Sequence, residues 1–409
     1  TSMMCIIMEQ VYVKEFIGHR ISSLNSPLWE NTESFPEYKP LRIDTILTHD
    51  NAFDRYVISN PDGISDFQLE SIQSMIRCVG NENGGFHYEC PGCGRSKFIP
   101  FRCHGRCCSV CGKRYAESWG RSLMGRFFPV SHRHVIFTLP GPLWEFVRSD
   151  MGLYVNDMFE AAVMVIRRLF ARKFKYISVK PGIICIVHFT GRDMKFNPHI
   201  HMLVTEGGLN DSGDWKDHSF WPYKKMSEYW KYEVLKLFSS HRGLSLDDKS
   251  LLDSQRKQRF VNGTNGYVVK NFRGVLDVKN VGSYLARYVR HPPIGESRLL
   301  SFDGNVVRIK YEWDNKLQTS DVSLSDFIGS ILVNIPPKRF QVVRQYGMYS
   351  NLCYGESKRM FVGIIQVQSM LMDFEKRDAR NVMCNYCGIS MELMMIEIVR
   401  HGRCVLVIY

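Results

Sequence analysis

The most regular pattern of apolar and polar positions lies in the middle of the chain. Residues 183–189 and 199–205 are both rich in apolar and β-branched side chains, and the eight residues 191–198 form the connection between them. Two such runs joined by a connection of this length predict an antiparallel hairpin. Because side chains alternate across a strand, His199 and His201 share one face, and pairing the runs about the connection brings His188 to that face near His201.

Further elements are predicted on both sides of this hairpin. The apolar periodicity and the turn residues place strands at 134–139, 266–270 and 274–278, and helices at 66–78, 155–170 and 279–291. This order of strand, helix, hairpin, helices, strands and helix predicts an α+β fold. Helices then cover one face of an antiparallel sheet, and a site lies on the other face.

Two tyrosines lie on the last predicted helix. Tyr284 and Tyr288 are four residues apart, which places both hydroxyls on one side of a helix. With the His199-Ile200-His201 motif they indicate a metal-assisted nuclease that uses tyrosine nucleophiles. The alternative is structural, because Tyr284 and Tyr288 also continue an apolar stripe with Val281, and paired histidines in a strand are often satisfied polar residues.

Composition and charge indicate a polyanionic partner. The chain has 409 residues and 44% hydrophobic content, enough for two or three domains with real cores. Lys and Arg exceed Asp and Glu by 12, and the sequence pI is about 9.0. Nucleic acid is favoured over a membrane surface, because no apolar run reaches about 18 residues. The first residues lack the charged and apolar regions of a secretion signal, so we expect a cytoplasmic protein.

The thirteen cysteines are better explained as metal ligands and buried thiols than as disulfides in a chain that is not secreted. Cys90 and Cys93 form one C-x2-C knuckle, Cys108 and Cys111 form another, and fourteen residues separate them. This spacing predicts a zinc-ribbon-like module in which these four thiolates hold a structural zinc ion. Cys103 is an alternative ligand, as it crowds the same loop, and burial of the thiols without metal is the other possibility.

A further knuckle lies near the C-terminus. Cys384 and Cys387 are followed by His401 and Cys404 at a spacing that would complete a second zinc site. Half-knuckles also occur without metal, so this second site is the weaker expectation.

Several of these motifs, in this order, resemble a known family. They are the cysteine cluster, the strand at 134–139, the Asn197-Pro198-His199-Ile200-His201 motif with Gly207-Gly208 after it, Tyr284-Leu285-Ala286-Arg287-Tyr288, and the segment from Ile335 to Gly347. Over about 85–355 the chain resembles the two-tyrosine transposases of the HUH endonuclease superfamily, which belong to bacterial insertion sequences related to Helitrons. Cys107 departs from the pattern of these relatives, and the first eighty residues match nothing in it.

The resemblance implies a nuclease domain of the HUH type and cleavage of single-stranded DNA. His199 and His201, with His188 as third ligand, would hold a catalytic Mg²⁺ or Mn²⁺ ion. Tyr284 or Tyr288 would attack phosphorus with help from Lys270, giving a 5′-phosphotyrosine and a free 3′-hydroxyl.

The expected partner is DNA, as single-stranded or hairpin transposon ends and target DNA, in a rolling-circle-like route within the bacterial nucleoid. Basic and aromatic residues that interleave after the nuclease domain are the predicted DNA contacts: Lys338, Arg339, Arg344, Tyr346 and Tyr349. A solvated face with scattered core aromatics is the alternative. No membrane is expected to bind, and the sequence identifies no protein partner.

The predicted organisation has five segments. They are an N-terminal region at 1–80 with a possible role in DNA binding, a zinc-binding module at 81–118, the nuclease domain at 119–300, a DNA-contacting region at 301–360 and a C-terminal segment at 361–409. Two rival functions remain: a plasmid replication initiator or relaxase with the same chemistry, and a zinc-bearing DNA-binding regulator without enzymatic activity.

Overall fold

A computed structural model describes most of the chain. The described residues are 41–61, 63–80, 84–105, 107–112, 118, 126–258, 266–276, 293–313, 316–360, 382–400 and 403–408. The predicted tyrosine helix, with Tyr284 and Tyr288, lies outside these residues, and so does His401.

The strands are bounded as follows: β1 (Gly84–Glu89), β2 (Ser96–Pro100), β3 (His132–Thr138), β4 (Val179–Thr190), β5 (Phe196–Asn210), β6 (Trp215–Asp217), β7 (Val268–Leu276), β8 (Leu299–Phe302), β9 (Val306–Trp313), β10 (Lys316–Ser323), β11 (Val343–Gly347), β12 (Glu392–Arg400) and β13 (Arg403–Ile408). The α-helices are α1 (Ile43–Thr48), α2 (Ala52–Ser59), α3 (Asp66–Gly80), α4 (Trp144–Ser149), α5 (Met151–Lys173), α6 (Tyr223–Phe238), α7 (Leu246–Lys257), α8 (Leu324–Leu332) and α9 (Tyr354–Met360).

The central sheet is antiparallel and confirms the predicted hairpin. Its strands run in the order β11, β4, β5, β3 and β7, and β6 pairs with β5. His188 lies directly opposite His199, two residues from the register expected, because β5 begins at Phe196 and shortens the connection. Pro198 falls where the register of β4 and β5 shifts, a position that tolerates a residue without an N–H group.

The two faces of the central sheet differ in the way that the sequence predicts. One face packs against α5 and α6 and contributes Val135, Phe137, Val187, Ile200 and Met202 to the largest core. The alternating positions of the same strands lie on the opposite face and include the histidines. The fold is therefore α+β, with helices over one face of the sheet and polar chemistry on the other.

A second core joins two distant parts of the chain. Helices α1, α2 and α3 share one set of buried apolar side chains with β8, β9 and α8, including Ile46, Phe53, Met75, Val307 and Phe327. The N-terminal region and part of the segment at 301–360 are thus packed together. Strand β11, from the same predicted segment, instead joins the central sheet through β4.

A small third sheet connects the cysteine segment with the C-terminal hairpin. Its strand order is β13, β12, β1 and β2, and Phe86 lies opposite Ile396 on one side and Ile99 on the other. The β12–β13 hairpin is absent from the sequence predictions, because its partner strand β1 is more than three hundred residues away.

Every helix in the described ranges is too short or too polar to cross a membrane.

Candidate metal centre and cysteine sites

Three histidines of the central sheet form a compact group. Strand β4 carries His188, and β5 carries His199 and His201, so alternation and register place all three on the face opposite α5 and α6. One ring nitrogen from each lies within 4.8 Å of the others. The Nε2 atoms of His199 and His201 are 3.1 Å apart. The structure thus brings together the three residues that the sequence predicts as ligands of a catalytic ion.

Hydrogen bonds fix which ring nitrogens are free to coordinate a cation. His199 Nδ1 donates to the Asn197 carbonyl oxygen at 2.6 Å, which leaves a lone pair on its Nε2. His201 Nδ1 is 2.9 Å from His134 Nε2, on the neighbouring strand β3, so its Nε2 also points into the group. This arrangement matches metal-binding histidines, in which a partner on one nitrogen orients the other.

Burial keeps these imidazoles neutral. It lowers the pKa of His199 below its usual value. It also lowers the pKa of His201 well below that value, with His188 and His199 as additional causes. Neutral imidazole is the form that binds a metal ion. The group of three contains no carboxylate among the described residues, so its donors are imidazole nitrogens.

Lys270 lies on the same face of the sheet as the histidines. It is opposite Ile136 in the β3–β7 pairing, and Ile136 is opposite His201 in the β3–β5 pairing. Two strand spacings separate Lys270 from His201, about 10 Å between backbones, and the lysine is exposed. A flexible lysine at this distance reaches the space above the histidines. Its predicted partners Tyr284 and Tyr288 lie outside the described residues.

The predicted DNA contacts divide into two groups. Lys338 and Arg339 are exposed, and Lys338 lines a cleft of about 1200 Å³ beside α8. Arg344 lies opposite Cys185 on β4, on the helix-covered face, where its guanidinium is 4.5 Å from the Phe159 ring and contacts Asn156. Tyr346 packs against the core of that same face.

Tyr349 is buried, contrary to the expectation that it stacks on bases. Its side chain is 2% exposed, and its hydroxyl lies 2.6 Å from His132 Nε2. It also accepts a hydrogen bond from the Phe128 backbone N–H at 3.2 Å. Of the predicted contacts, Lys338 and Arg339 are therefore the pair placed to meet phosphates.

The cysteines form two groups of four rather than the single ribbon expected. Cys108 and Cys111 lie with Cys78 and Cys103, and the sulfur atoms are within 4.8 Å of one another. The Sγ atoms of Cys78 and Cys111 are 3.7 Å apart, as are those of Cys103 and Cys111. Hydrogen bonding from Cys103 lowers the pKa of Cys108 to about 5, which favours its thiolate form.

The other knuckle of the expected ribbon has a different partner. Cys90 and Cys93 lie with Cys384 and Cys387, again within 4.8 Å. Cys384 and Cys387 of the predicted second site thus lie with Cys90 and Cys93, whereas His401 lies outside the described residues. Cys404 lies in β13, opposite Val399. Spacing alone pairs neighbouring knuckles, whereas the β1–β12 pairing brings distant ones together.

Two residues of these sites are not predicted as site residues from the sequence. Cys78 ends the apolar face of α3, and its pattern indicates only a helix residue. His134 is predicted in a strand, but its contact with His201 depends on the β3–β5 register. The sequence signal for His134 is a histidine in a predicted strand that can pair with the His-x-His strand.

Comparison with known proteins agrees with these sites. A family model described as a putative transposase matches residues 182–357, which contain the three histidines. A model described as a transposase zinc-binding domain matches residues 48–139, which contain six of the clustered cysteines. Over these two segments the chain is similar to transposases of the IS91 family.

Two transposases resemble this chain over most of their length. The transposase for insertion sequence element IS801 of Pseudomonas savastanoi pv. phaseolicola is 26% identical over 333 residues, which cover 78% of this chain and 79% of the relative. The putative transposase y4qJ of Sinorhizobium fredii is 24% identical over 313 residues, 72% of this chain and 77% of the relative. No solved structure matches the chain significantly.

Proposed function

We propose that this transposase cleaves and rejoins single-stranded DNA through a 5′-phosphotyrosine intermediate, with a divalent cation held by His188, His199 and His201. The observation that carries the proposal is the convergence of three imidazoles on the face of the central sheet opposite α5 and α6. The Nδ1 contacts of His199 and His201 orient the Nε2 atoms of both rings toward the group. Three ligands leave coordination positions for phosphate oxygens, as a catalytic rather than a structural site requires.

The donor set favours Mn²⁺ over Mg²⁺. Magnesium prefers oxygen ligands in near-ideal octahedra and usually keeps several waters, whereas imidazole nitrogens suit transition metals better. The group of three histidines offers nitrogen donors. We therefore propose Mn²⁺ as the more effective ion of the two, and a bound ion of this kind would polarise the scissile phosphate and stabilise the charge that develops on it.

The proposed nucleophiles come from the sequence resemblance. The phenolic oxygen of Tyr284 or Tyr288 would form a bond to phosphorus while the bond to the 3′-oxygen breaks, and that oxygen leaves as a free hydroxyl. A tyrosine hydroxyl has a pKa near 10, so a nearby cation must favour its phenolate. Lys270 is the candidate among the described residues, because it is exposed on the histidine face two strands from His201.

Rejoining needs no external energy source. The phosphotyrosine conserves the phosphoester, so attack by another strand's 3′-hydroxyl releases the tyrosine and reseals DNA. Two tyrosines allow two such cleavages to coexist, one at a donor end and one at a target. We propose that this exchange, on single-stranded or hairpin DNA ends, moves the insertion sequence by a rolling-circle-like route.

The test is a denaturation-resistant adduct between the protein and labelled single-stranded DNA in Mn²⁺. We expect the adduct with the wild-type chain, none with Tyr284→Phe/Tyr288→Phe, and a loss of at least about tenfold with His199→Ala. Tyr176→Phe is the matched control, because this tyrosine is 95% exposed and lies in the connection before β4. An adduct that survives in the double tyrosine variant would refute the nucleophile assignment. DNA binding without any adduct would favour a non-enzymatic regulator.

A further inference from the structure

We infer that Cys90, Cys93, Cys384 and Cys387 hold a second structural zinc ion, which fastens the C-terminal hairpin to the N-terminal zinc-binding domain. The match to a transposase zinc-binding domain ends at residue 139, so it does not include Cys384 or Cys387. The inferred site thus extends zinc binding to a part of the chain outside that domain.

The sulfur atoms are spaced as a tetrahedral zinc site requires. A zinc ion with Zn–S bonds of about 2.3 Å gives edges of about 3.8 Å between sulfurs. The Sγ atoms of Cys90 and Cys387 are 3.3 Å apart, those of Cys93 and Cys384 are 3.6 Å apart, and those of Cys93 and Cys387 are 3.8 Å apart. The four residues therefore surround a position that fits one ion.

The two halves of the site have the same local backbone structure. In the first, the Gly94 N–H donates to the Cys90 carbonyl at 2.8 Å, and the Cys90 N–H donates to the carbonyl of Arg95 at 2.9 Å. In the second, the Gly388 N–H donates to the Cys384 carbonyl at 3.0 Å, and the Cys384 N–H donates to the carbonyl five residues later at 2.9 Å.

Glycine completes each of these turns for the same reason. Gly94 and Gly388 both adopt positive φ angles, +67° and +71°, which side-chain-bearing residues rarely adopt. Each turn presents both of its cysteines to the other turn. Two matched C-x2-C-G turns that face each other are the arrangement of a zinc ribbon, assembled here from segments about 290 residues apart in the sequence.

Contacts around the sulfurs hold the two knuckles together. The Arg95 guanidinium lies 3.8 Å from the centre of the Tyr386 ring, and Lys97 Nζ donates to the Asn385 side-chain oxygen at 3.3 Å. A methyl group added at Gly92 would come within 2.5 Å of Ile389, so the knuckles approach closely. This closeness is what a shared metal ion needs.

The surrounding sheet has too little apolar core to stabilise itself. Among the side chains that the structure describes, the buried cluster there consists of Cys90, Cys384 and Met391, with Tyr88 and Val382 partly buried against it. A unit of this size ordinarily needs a metal ion or disulfides. The binding free energy of a structural zinc ion is folding free energy, which compensates for a missing core.

The inferred ion joins two segments that are far apart in the sequence. The residues between the two knuckles include the whole central sheet, so one zinc ion would hold residues 84–100 and 382–400 together. The other cysteine group, with Cys78 and Cys103, instead lies against the core shared by α1–α3 and α8. The two sites therefore stabilise different units, and loss of one leaves the other intact.

Zinc content of the purified full-length chain tests this inference. We expect two zinc equivalents in the wild type and one in Cys384→Ser/Cys387→Ser, with unchanged content in the control Cys353→Ser, which replaces a cysteine outside both groups. The reciprocal variant Cys108→Ser/Cys111→Ser should also keep one equivalent. Retained zinc in each double variant shows that the remaining site is still folded.

A second readout identifies the segment that the ion fastens. Amide hydrogen exchange over 84–100 and 382–400 should rise in Cys384→Ser/Cys387→Ser and stay unchanged over 183–210, the metal hairpin of the central sheet. Two zinc equivalents in this variant, unchanged exchange in both segments, or a disulfide between Cys90 and Cys387 found by mass spectrometry under non-reducing conditions would each overturn the inference.

Discussion

His134 Nε2 lies 2.9 Å from His201 Nδ1, and the two rings are nearly parallel, at 16°. Both residues are buried, at 0% and 5% exposure. Register places them on adjacent strands of the central sheet, where His134 holds the imidazole of a proposed metal ligand in one orientation.

We predict that His134→Ala weakens Mn²⁺ binding by about 10–100-fold, the usual cost of losing a residue that orients a metal ligand. Isothermal titration with Mn²⁺ measures this. His134→Gln should restore part of the affinity, because its amide can still hydrogen-bond to His201 Nδ1. Equal affinity in wild type and His134→Ala would show that this contact does not position the ligand; His49→Ala, at an exposed histidine, is the control.

The basic residues after α8 should differ in their effect on DNA binding. Replacing exposed Lys338 with Ala and Arg339 with Asn should weaken single-stranded DNA binding and reduce its salt slope by about 1.4. Asn suits position 339, where φ is +67°. Fluorescence anisotropy over a series of salt concentrations measures the slope, and an unchanged slope would remove these two residues from the DNA interface.

Arg344 is the basic residue of this segment that we expect not to contact DNA, in contrast to Lys338 and Arg339. Its guanidinium packs over Phe159 on the helix-covered face, so Arg344→Met should lower thermal stability while the salt slope of DNA binding stays unchanged. A reduced salt slope in Arg344→Met would instead restore Arg344 as a phosphate contact.

Tyr349→Phe should destabilise the fold by about 1–3 kcal/mol, because it leaves the buried Phe128 N–H and His132 Nε2 without their partner. Urea unfolding measures the difference in free energy. The control is Tyr386→Phe, at an exposed position, and a neutral Tyr349→Phe would contradict the role of this hydroxyl.

Stability should fall as the solution becomes acidic, in part through His132. Burial lowers its pKa from the ordinary value of 6.5 to about 4 in the folded chain. As the pH falls, His132 therefore binds a proton in the unfolded chain before it does so in the folded chain. The contribution of neutral His132 to folding stability is complete above pH 6.5 and is lost progressively as the pH falls to 4. Between pH 7 and pH 5 the loss is about 2 kcal/mol. Urea unfolding at both pH values should show a smaller loss in His132→Gln, and an equal loss in that variant would contradict the assignment.

Local pattern was enough to predict the metal hairpin and not enough to predict the cysteine sites. Alternation in two adjacent runs placed His188, His199 and His201 on one face, since the hairpin partners are neighbours in sequence. The groups around Cys90 and Cys108 depend on Cys384 and Cys78, whose positions are set by tertiary packing. Local spacing cannot predict a ligand that lies hundreds of residues away, as Cys384 does from Cys90.

The same reason explains the reassigned DNA contacts. The face that each residue of β11 occupies follows from its pairing with β4, more than 150 residues earlier. The segment is rich in basic and aromatic residues, but composition does not determine which face of a sheet each residue occupies. Arg344 and Tyr346 thus lie against the core, whereas Lys338 and Arg339, just before the strand, remain exposed.

The most direct test of the central claim is the nitrogen coupling of Mn²⁺ bound to the full-length chain, measured by pulsed electron paramagnetic resonance. The proposal predicts coupling to imidazole nitrogen in the wild type and its loss in His188→Ala/His199→Ala/His201→Ala, with zinc content unchanged. A wild-type spectrum without nitrogen coupling, or the same coupling in the triple variant, would contradict a cation held by these three histidines.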